Sequence, residues 1–174
     1  MQTDLGTHLL DLVAFDARAN RALASTLAGV AYPAGPAPFD ASAVRTACRL
    51  FALLVEDEER WLNRARQADE GPPEVGADLA SSAARAERSA AAWRDLLGGV
   101  DDVGRPVRCA SGDGEAVEVP LHQVVAHAVA RAGRQRERVA QLLTDVGLAV
   151  PGREVLVYGA GPERRETNGK AVAR

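Results

Sequence analysis

Helix breakers divide the sequence into four long stretches, each with the apolar spacing of three to four residues that is typical of a helix. Prolines and glycines cluster after the first two stretches, and a Gly-Gly pair follows the third, so no helix continues through these points. The spacing predicts helices over about 4–29, 41–68, 77–97 and 121–145. Because helices of similar length with short connections pack side by side, the sequence predicts an all-α, antiparallel four-helix bundle.

The apolar period changes between the third and fourth helices. Residues 105–109 and 115–119 alternate as strands do, and the Ser-Gly-Asp-Gly turn between them predicts a small β-hairpin. Residues 155–158 predict a short extended segment, and the polar residues 159–174 predict a disordered tail. Since no repeat or linker interrupts them, residues 1–158 are predicted to form one domain.

Composition restricts the partners that the chain can have. The formal net charge is −3, so there is no overall basic field to gather nucleic acid or anionic lipid. The sequence has no apolar run of membrane-spanning length, no signal-peptide pattern and too few cysteines for a disulfide framework. We therefore expect a cytoplasmic protein, and 20 arginines against one lysine suggest a bacterium with a GC-rich genome.

Histidine and cysteine are scarce, which limits any metal site. The three histidines are His8, His122 and His127. His122 and His127 are five residues apart and lie roughly 140° apart around a helix axis, so they cannot bind one ion from one helix face. Of the two cysteines, Cys48 is predicted to be a core residue, and Cys109 in the hairpin could be exposed; neither has the neighbours that mark a reactive thiol.

The fourth helix carries two candidate functional residues. If Ala128 is at the centre of the inward face, Arg131 falls at the edge of that face and His127 lies one turn earlier on the same edge. His127 is either a partly buried histidine bonded to a neighbouring helix or an acid–base group. Arg131 needs an acidic partner or an anionic ligand, unless its aliphatic stem carries the guanidinium to solvent.

The second helix offers an acid for Arg131. Glu58 lies on the predicted inward stripe between Leu54 and Trp61, so it is the third candidate residue. The acidic run 56–59 otherwise predicts a solvated face, and Trp61 predicts either plain core packing or the wall of a pocket.

A set of short motifs follows one another in a particular order along the chain. They are Phe15-Asp-Ala-Arg-Ala-Asn-Arg-Ala-Leu, Glu58-Glu-Arg-Trp-Leu, Arg105-Pro-Val, Pro120-Leu, His127 with Gly133, and Leu142-Leu-Thr-Asp-Val-Gly-Leu. In their order and spacing, these motifs resemble the DinB-like (DinB/YfiT) family over about residues 5–158.

The resemblance implies a four-helix bundle that is often dimeric. It also implies a divalent metal, bound by one histidine of the second helix and an i,i+4 histidine pair of the fourth, as in thiol-dependent transferases and isomerases of the family. His127 matches the first histidine of that pair, but Arg131 stands at the second position, and Leu53 or Leu54 stands where the second helix should supply a ligand. A cation and a leucine cannot hold zinc or nickel, so we expect neither a metal nor another cofactor.

Two functions remain open from the sequence. In the first, His127 acts as acid or base, Arg131 holds an anionic group of a small metabolite, and Glu58 or a neighbouring acid orients one of them. Isomerisation, cyclisation and thiol transfer fit this arrangement equally well. In the second, a salt bridge between Arg131 and Glu58 fills the former metal site, and the protein is a non-catalytic dimerisation or interaction module.

Overall fold

The computed structural model describes residues 2–31, 41–68, 78–110, 115–156 and 158. In chain order its elements are α1 (Gln2–Ala31), α2 (Ala41–Arg66), α3 (Leu79–Gly98), β1 (Pro106–Ala110), β2 (Ala116–Pro120), α4 (Leu121–Asp145) and α5 (Arg153–Leu156). The described chain is thus mostly helical with one small antiparallel sheet, as the sequence predicts. Among these described helices, none has both the length and the apolar character needed to cross a membrane.

The predicted bounds of the four long helices are confirmed to within a few residues. α4 begins at Leu121 and ends at Asp145, as its flanking proline and glycine predict. The predicted extended segment 155–158 is wrong in its first half, because α5 covers that half. The hairpin turn at 111–114 and the predicted tail at 159–174 lie outside the described residues.

The four long helices pack in a definite order. α1 packs along α3 and α4, and α2 packs along the same two helices. α1 and α2 also contact each other across the middle, whereas the described parts of α3 and α4 do not meet. The order around the molecule is therefore α1, α3, α2, α4, and the interior includes the place where α1, α2 and α4 come together.

The hairpin packs on α2 and α4 through alternate residues of β1. Its strands pair antiparallel, with Arg108 opposite Glu118. Val107 and Cys109 point to the buried face, so Cys109 is a core residue and not an exposed one. Cys48 is only partly buried on α2.

His122 anchors the start of α4 and takes no part in a site. Its backbone N–H donates to the Val103 carbonyl at 2.9 Å, and its ring Nδ1 lies 3.2 Å from the same oxygen. The backbone N–H of Leu121 donates to the Arg105 carbonyl at 2.9 Å. These bonds fix the first turn of α4 against the chain that precedes β1.

Two clusters of buried apolar side chains fill the interior. The first includes Leu9, Val13, Leu62, Trp93, Val125 and Val129, and the second includes Leu23, Leu27, Phe51, Leu54, Val139 and Leu143. On each of α1, α2 and α4, polar residues stand between the positions that enter the two clusters. We call these residues (Asp16, Asn20, Glu58 and Arg136) the polar layer.

Candidate functional site

Arg136 is the centre of the polar layer. Its side chain is 0% exposed, and its Nη1 atom donates to Asn20 Oδ1 at 2.7 Å and lies 2.7 Å from Asp16 Oδ1. Its Nε atom donates to the Leu156 carbonyl at 2.9 Å. A guanidinium cannot lose its charge, so burial at this depth is possible only because acidic and carbonyl oxygens surround it.

Glu58 enters the same layer from α2. The Nδ2 atom of Asn20 donates to both of its carboxyl oxygens, at 2.9 and 3.0 Å, and Glu58 Oε1 lies 3.8 Å from Arg136 Nη1. Burial, the charge of Asp16 and the hydrogen bond with Asp16 raise the pKa of Glu58 well above its usual range, against the opposing effects of Arg136 and Asn20. Glu58 therefore keeps its proton at pH values at which ordinary glutamates have lost theirs.

The space beside these groups is small. A cavity of about 10 Å³ lies against Asp16, Asn20 and Glu58, with Trp93 and other apolar side chains as its remaining walls. This volume holds about one water molecule, whereas a metabolite pocket has roughly 300–1,000 Å³. The polar layer is thus a packed interior and not a substrate chamber.

A larger groove lies at the surface between α1 and α3. Its volume is about 210 Å³, and four alanines form much of its lining. Asn20 lies at its inner side, and Arg21 and Glu87, which pair at 2.7 Å, also line it. This groove is smaller than an ordinary ligand site, and a solvent-exposed ion pair stands in it.

The four adjacent acids of α2, residues 56–59, each contact a different partner. Glu56 pairs with Arg60 one turn along α2, Asp57 with Arg131 of α4, and Glu59 with Arg85 of α3, while Glu58 enters the polar layer. Glu58 is buried, and the other three acids are partly buried. The prediction of a solvated face is therefore wrong. Consecutive residues turn by about 100° on a helix, so each acid meets a different neighbour.

The other two candidate residues lie on the outside, where α2 and α4 run together. Arg131 has a side chain that is 46% exposed, and its Nε atom donates to Asp57 Oδ2. His127 is exposed, and its ring lies against the ring of Trp61 with centroids 4.6 Å apart. The guanidinium carbon of Arg64 is 4.9 Å from the centre of the Trp61 ring. We call Asp57, Trp61, His127 and Arg131 the α2–α4 seam.

The structure therefore separates the three candidate residues. Glu58 lies in the interior, whereas His127 and Arg131 lie together at the α2–α4 seam. The predicted salt bridge between Arg131 and Glu58 is wrong, because Arg131 pairs with Asp57, and the arginine that faces Glu58 is Arg136.

Arg136 was missed because the inward face of α4 was centred at the wrong position. Arg136 lies about 80° from Ala128 around the helix axis, outside the apolar stripe that is centred on Ala128. The buried residues of α4 extend well past that stripe and include Val129, Gly133 and Ala140. Their centre is displaced by about 50° from Ala128, which brings Arg136 inside and turns Arg131 outward. The one local sequence feature near Arg136 is the small residue Gly133, one turn before it.

The donor set does not fit the metal site that the family resemblance implies. His127 faces Trp61, Arg131 is paired, and Leu54 is buried in an apolar cluster while Leu53 is exposed. Within the part of the chain that the structure describes, no three histidine, cysteine, aspartate or glutamate side chains are grouped so that they could hold a metal ion. The exposed His8 lies beside Tyr158, with ring centroids 6.0 Å apart.

The fold and the site define a mostly helical protein with a buried polar layer in its interior and an aromatic, charged seam on its surface. No family model matches the chain, and no curated protein or solved structure matches it either. Its function must accordingly be inferred from the geometry of these two places.

Proposed function

We propose that this protein is a metal-free relative of the DinB-like bundles and acts as a non-catalytic interaction module. The observation that carries the proposal is that the polar groups of the interior are already bonded to one another. Arg136, Asn20 and Glu58 are bonded to one another, and the cavity beside them has room for about one water molecule. An interior of this kind fixes the helices relative to one another, and the cavity at the polar layer is too small for a metabolite.

The α2–α4 seam is the surface that we assign to the partner, which we propose is a second copy of this chain. Tryptophan and arginine are the side chains that contribute most often to binding energy at interfaces. The Trp61 and His127 rings already contact each other, and Asp57 already holds Arg131, so little side-chain entropy remains to be lost on association.

Metal content tests the first part of this proposal. Protein purified without chelator should carry less than one equivalent of tightly bound metal, since a single imidazole beside an arginine does not retain zinc or nickel. Elemental analysis of the purified protein measures this directly. Zinc or nickel near one equivalent per chain would overturn the proposal.

Sedimentation equilibrium tests the second part. The wild-type chain should associate to a dimer, and Arg131→Ala should weaken that dimer, because the substitution removes one seam side chain and leaves the interior intact. Arg21→Ala is the matched control, since Arg21 is also an exposed, acid-paired arginine but lies on the α1–α3 side. A monomer at all concentrations, or equal weakening by both substitutions, would exclude the seam as a dimer interface.

A second candidate function is the binding or conversion of a small anionic metabolite at the same seam. The observation that favours it is the exposed His127 ring beside Arg131, which Asp57 orients in the role expected for a neighbouring acid. Isomerisation, cyclisation and thiol transfer remain the candidate reactions, with His127 as acid or base.

Thermal unfolding with a panel of small carboxylates separates the two functions. A saturable rise in Tm that His127→Ala and Arg131→Ala both abolish, and that Arg21→Ala preserves, would establish the metabolite site. His127→Ala should itself unfold cooperatively, because its ring is exposed. No rise with any carboxylate of the panel would count against this second candidate.

A further inference from the structure

The short helix α5 is attached to the polar layer by one buried hydrogen bond. The Leu156 carbonyl accepts from Arg136 Nε at 2.9 Å, and the Leu156 side chain is 2% exposed among the apolar residues of the second cluster. α5 has four residues and packs on α1 and α4. The side chain that binds α5 is therefore the same one that balances the acids of the layer.

The charges in the layer balance only when one acid is protonated. The charged and titratable groups that face Glu58 are Asp16 from α1 and Arg136 from α4. From α3, the residues that line the cavity beside Glu58 are the apolar Ala90 and Trp93. The neighbours of Glu58 on α2 pair with Arg131 and Arg85. Two carboxyl groups thus meet one guanidinium at a site that is almost closed to water, so one proton is required for neutrality.

We propose that this proton, carried by Glu58 where it and Asp16 face the same Arg136 Nη1 atom, is a latch for α5. When the proton leaves, Arg136 turns toward the newly charged Glu58, the bond to Leu156 breaks, and α5 separates from α1 and α4.

The geometry explains why α5 is the element that moves. An unbalanced buried charge must gain either a closer counter-ion or water. Arg136 Nη2 is buried without a hydrogen-bond partner in the described structure, so it is available to a charged Glu58 once the guanidinium turns. Gly133 lies beside this bond, since a Cβ there would be in van der Waals contact with both Arg136 Nη2, at 3.9 Å, and the Leu156 carbonyl oxygen, at 4.0 Å. α5 has only four residues, so it is the element on this bond that is the least costly to open.

Hydrogen exchange of the α5 backbone at several pH values tests the latch. Once the pH exceeds the raised pKa of Glu58, protection factors in the wild-type protein should fall by about tenfold per pH unit, since one proton is linked to the opening. Glu58→Gln keeps a neutral side chain of the same shape and should hold protection constant over the same range. Glu56→Gln, which changes an acid of the same helix outside the layer, should behave as the wild type.

A second variant makes the result independent of how well Glu58→Gln folds. Asp16→Asn removes the neighbouring carboxyl charge, so Glu58 is ionised already at neutral pH and Arg136 turns toward it. In this variant α5 should therefore exchange rapidly at neutral and alkaline pH alike. If protection of α5 in the wild-type protein does not depend on pH, the latch does not exist. If the Glu58 and Asp16 variants lose protection in parallel with the wild type, another group controls α5 and the proposal is overturned.

Discussion

Glu58 combines near-complete burial, two bonds from Asn20 and a second carboxyl group close by. Arg136 compensates for one of the two carboxyl charges and Asn20 supplies donors, but neither removes the cost of ionising Glu58. A carboxyl group in this position therefore stays neutral at pH values at which surface carboxylates carry charge. Glu58 therefore contributes a pH dependence to the stability of the molecule.

We expect the free energy of unfolding to fall as the pH rises through the window that begins at the ordinary pKa of glutamate and ends at the raised pKa of Glu58. In that window the native state binds the proton and the unfolded state does not, so raising the pH favours unfolding. Urea unfolding at a series of pH values measures the slope. Glu58→Gln should remove this contribution and Glu56→Gln should retain it; a slope that survives in Glu58→Gln would assign it to another group.

Gly133 offers a second test at the scale of one residue. Its missing Cβ would meet only ordinary contacts, at 3.9 Å from Arg136 Nη2 and 4.0 Å from the Leu156 carbonyl oxygen. Gly133→Ala should therefore be neutral, or should stabilise the protein by up to about 1 kcal/mol, because alanine is the better helix former. Urea unfolding checks this, and a large destabilisation would show that Arg136 and α5 tolerate no added group here.

At the scale of elements, α2 is the helix that joins the others. Its acids contact α4 through Asp57, α3 through Glu59, and α1 and α4 through Glu58. Only Glu56 pairs within its own helix. The turn of the helix thus directs three of four adjacent acids to three neighbouring helices.

Neutralising these acids one at a time should therefore lower the free energy of unfolding by different amounts. Glu56→Gln and Asp57→Asn should cost no more than about 1 kcal/mol each, since each removes a partly exposed pair. Glu59→Gln should cost more, about 1–3 kcal/mol, because its partner Arg85 is buried and charged. Chemical denaturation of the three variants gives the order. A Glu56→Gln variant less stable than Glu59→Gln would contradict it.

Local sequence signals predict where the helices begin and end, but not which side of each helix faces the interior. Pro120 and Gly147 mark the ends of α4 in the sequence itself, and the predicted bounds are confirmed. The inward face was misplaced because a buried arginine looks the same in the sequence as an exposed one. Only the positions of Asp16 and Asn20, more than 100 residues away, reveal that Arg136 is satisfied inside.

At the scale of the whole molecule, the mostly helical fold with its small hairpin is confirmed, and the identity of the bundle as DinB-like stays a proposal. Glu58 was predicted to face inward and is buried. The site as a unit was not predictable, because it depends on which helices are neighbours across the middle. The contact of α1 with α2 brings Asn20 to Glu58, and no local pattern records that contact.

The central claim is that Arg136, and not Arg131, is the cation that holds the fold together, through Asp16, Asn20 and the Leu156 carbonyl. Urea unfolding of Arg136→Ala and Arg131→Ala, measured side by side, tests it most directly. Arg136→Ala should lose about 3–5 kcal/mol or fail to fold, because it leaves a buried acid pair without its counter-ion. Arg131→Ala should lose less than about 1 kcal/mol, because it removes a pair on the surface. Equal losses, or a larger loss for Arg131→Ala, would contradict the account.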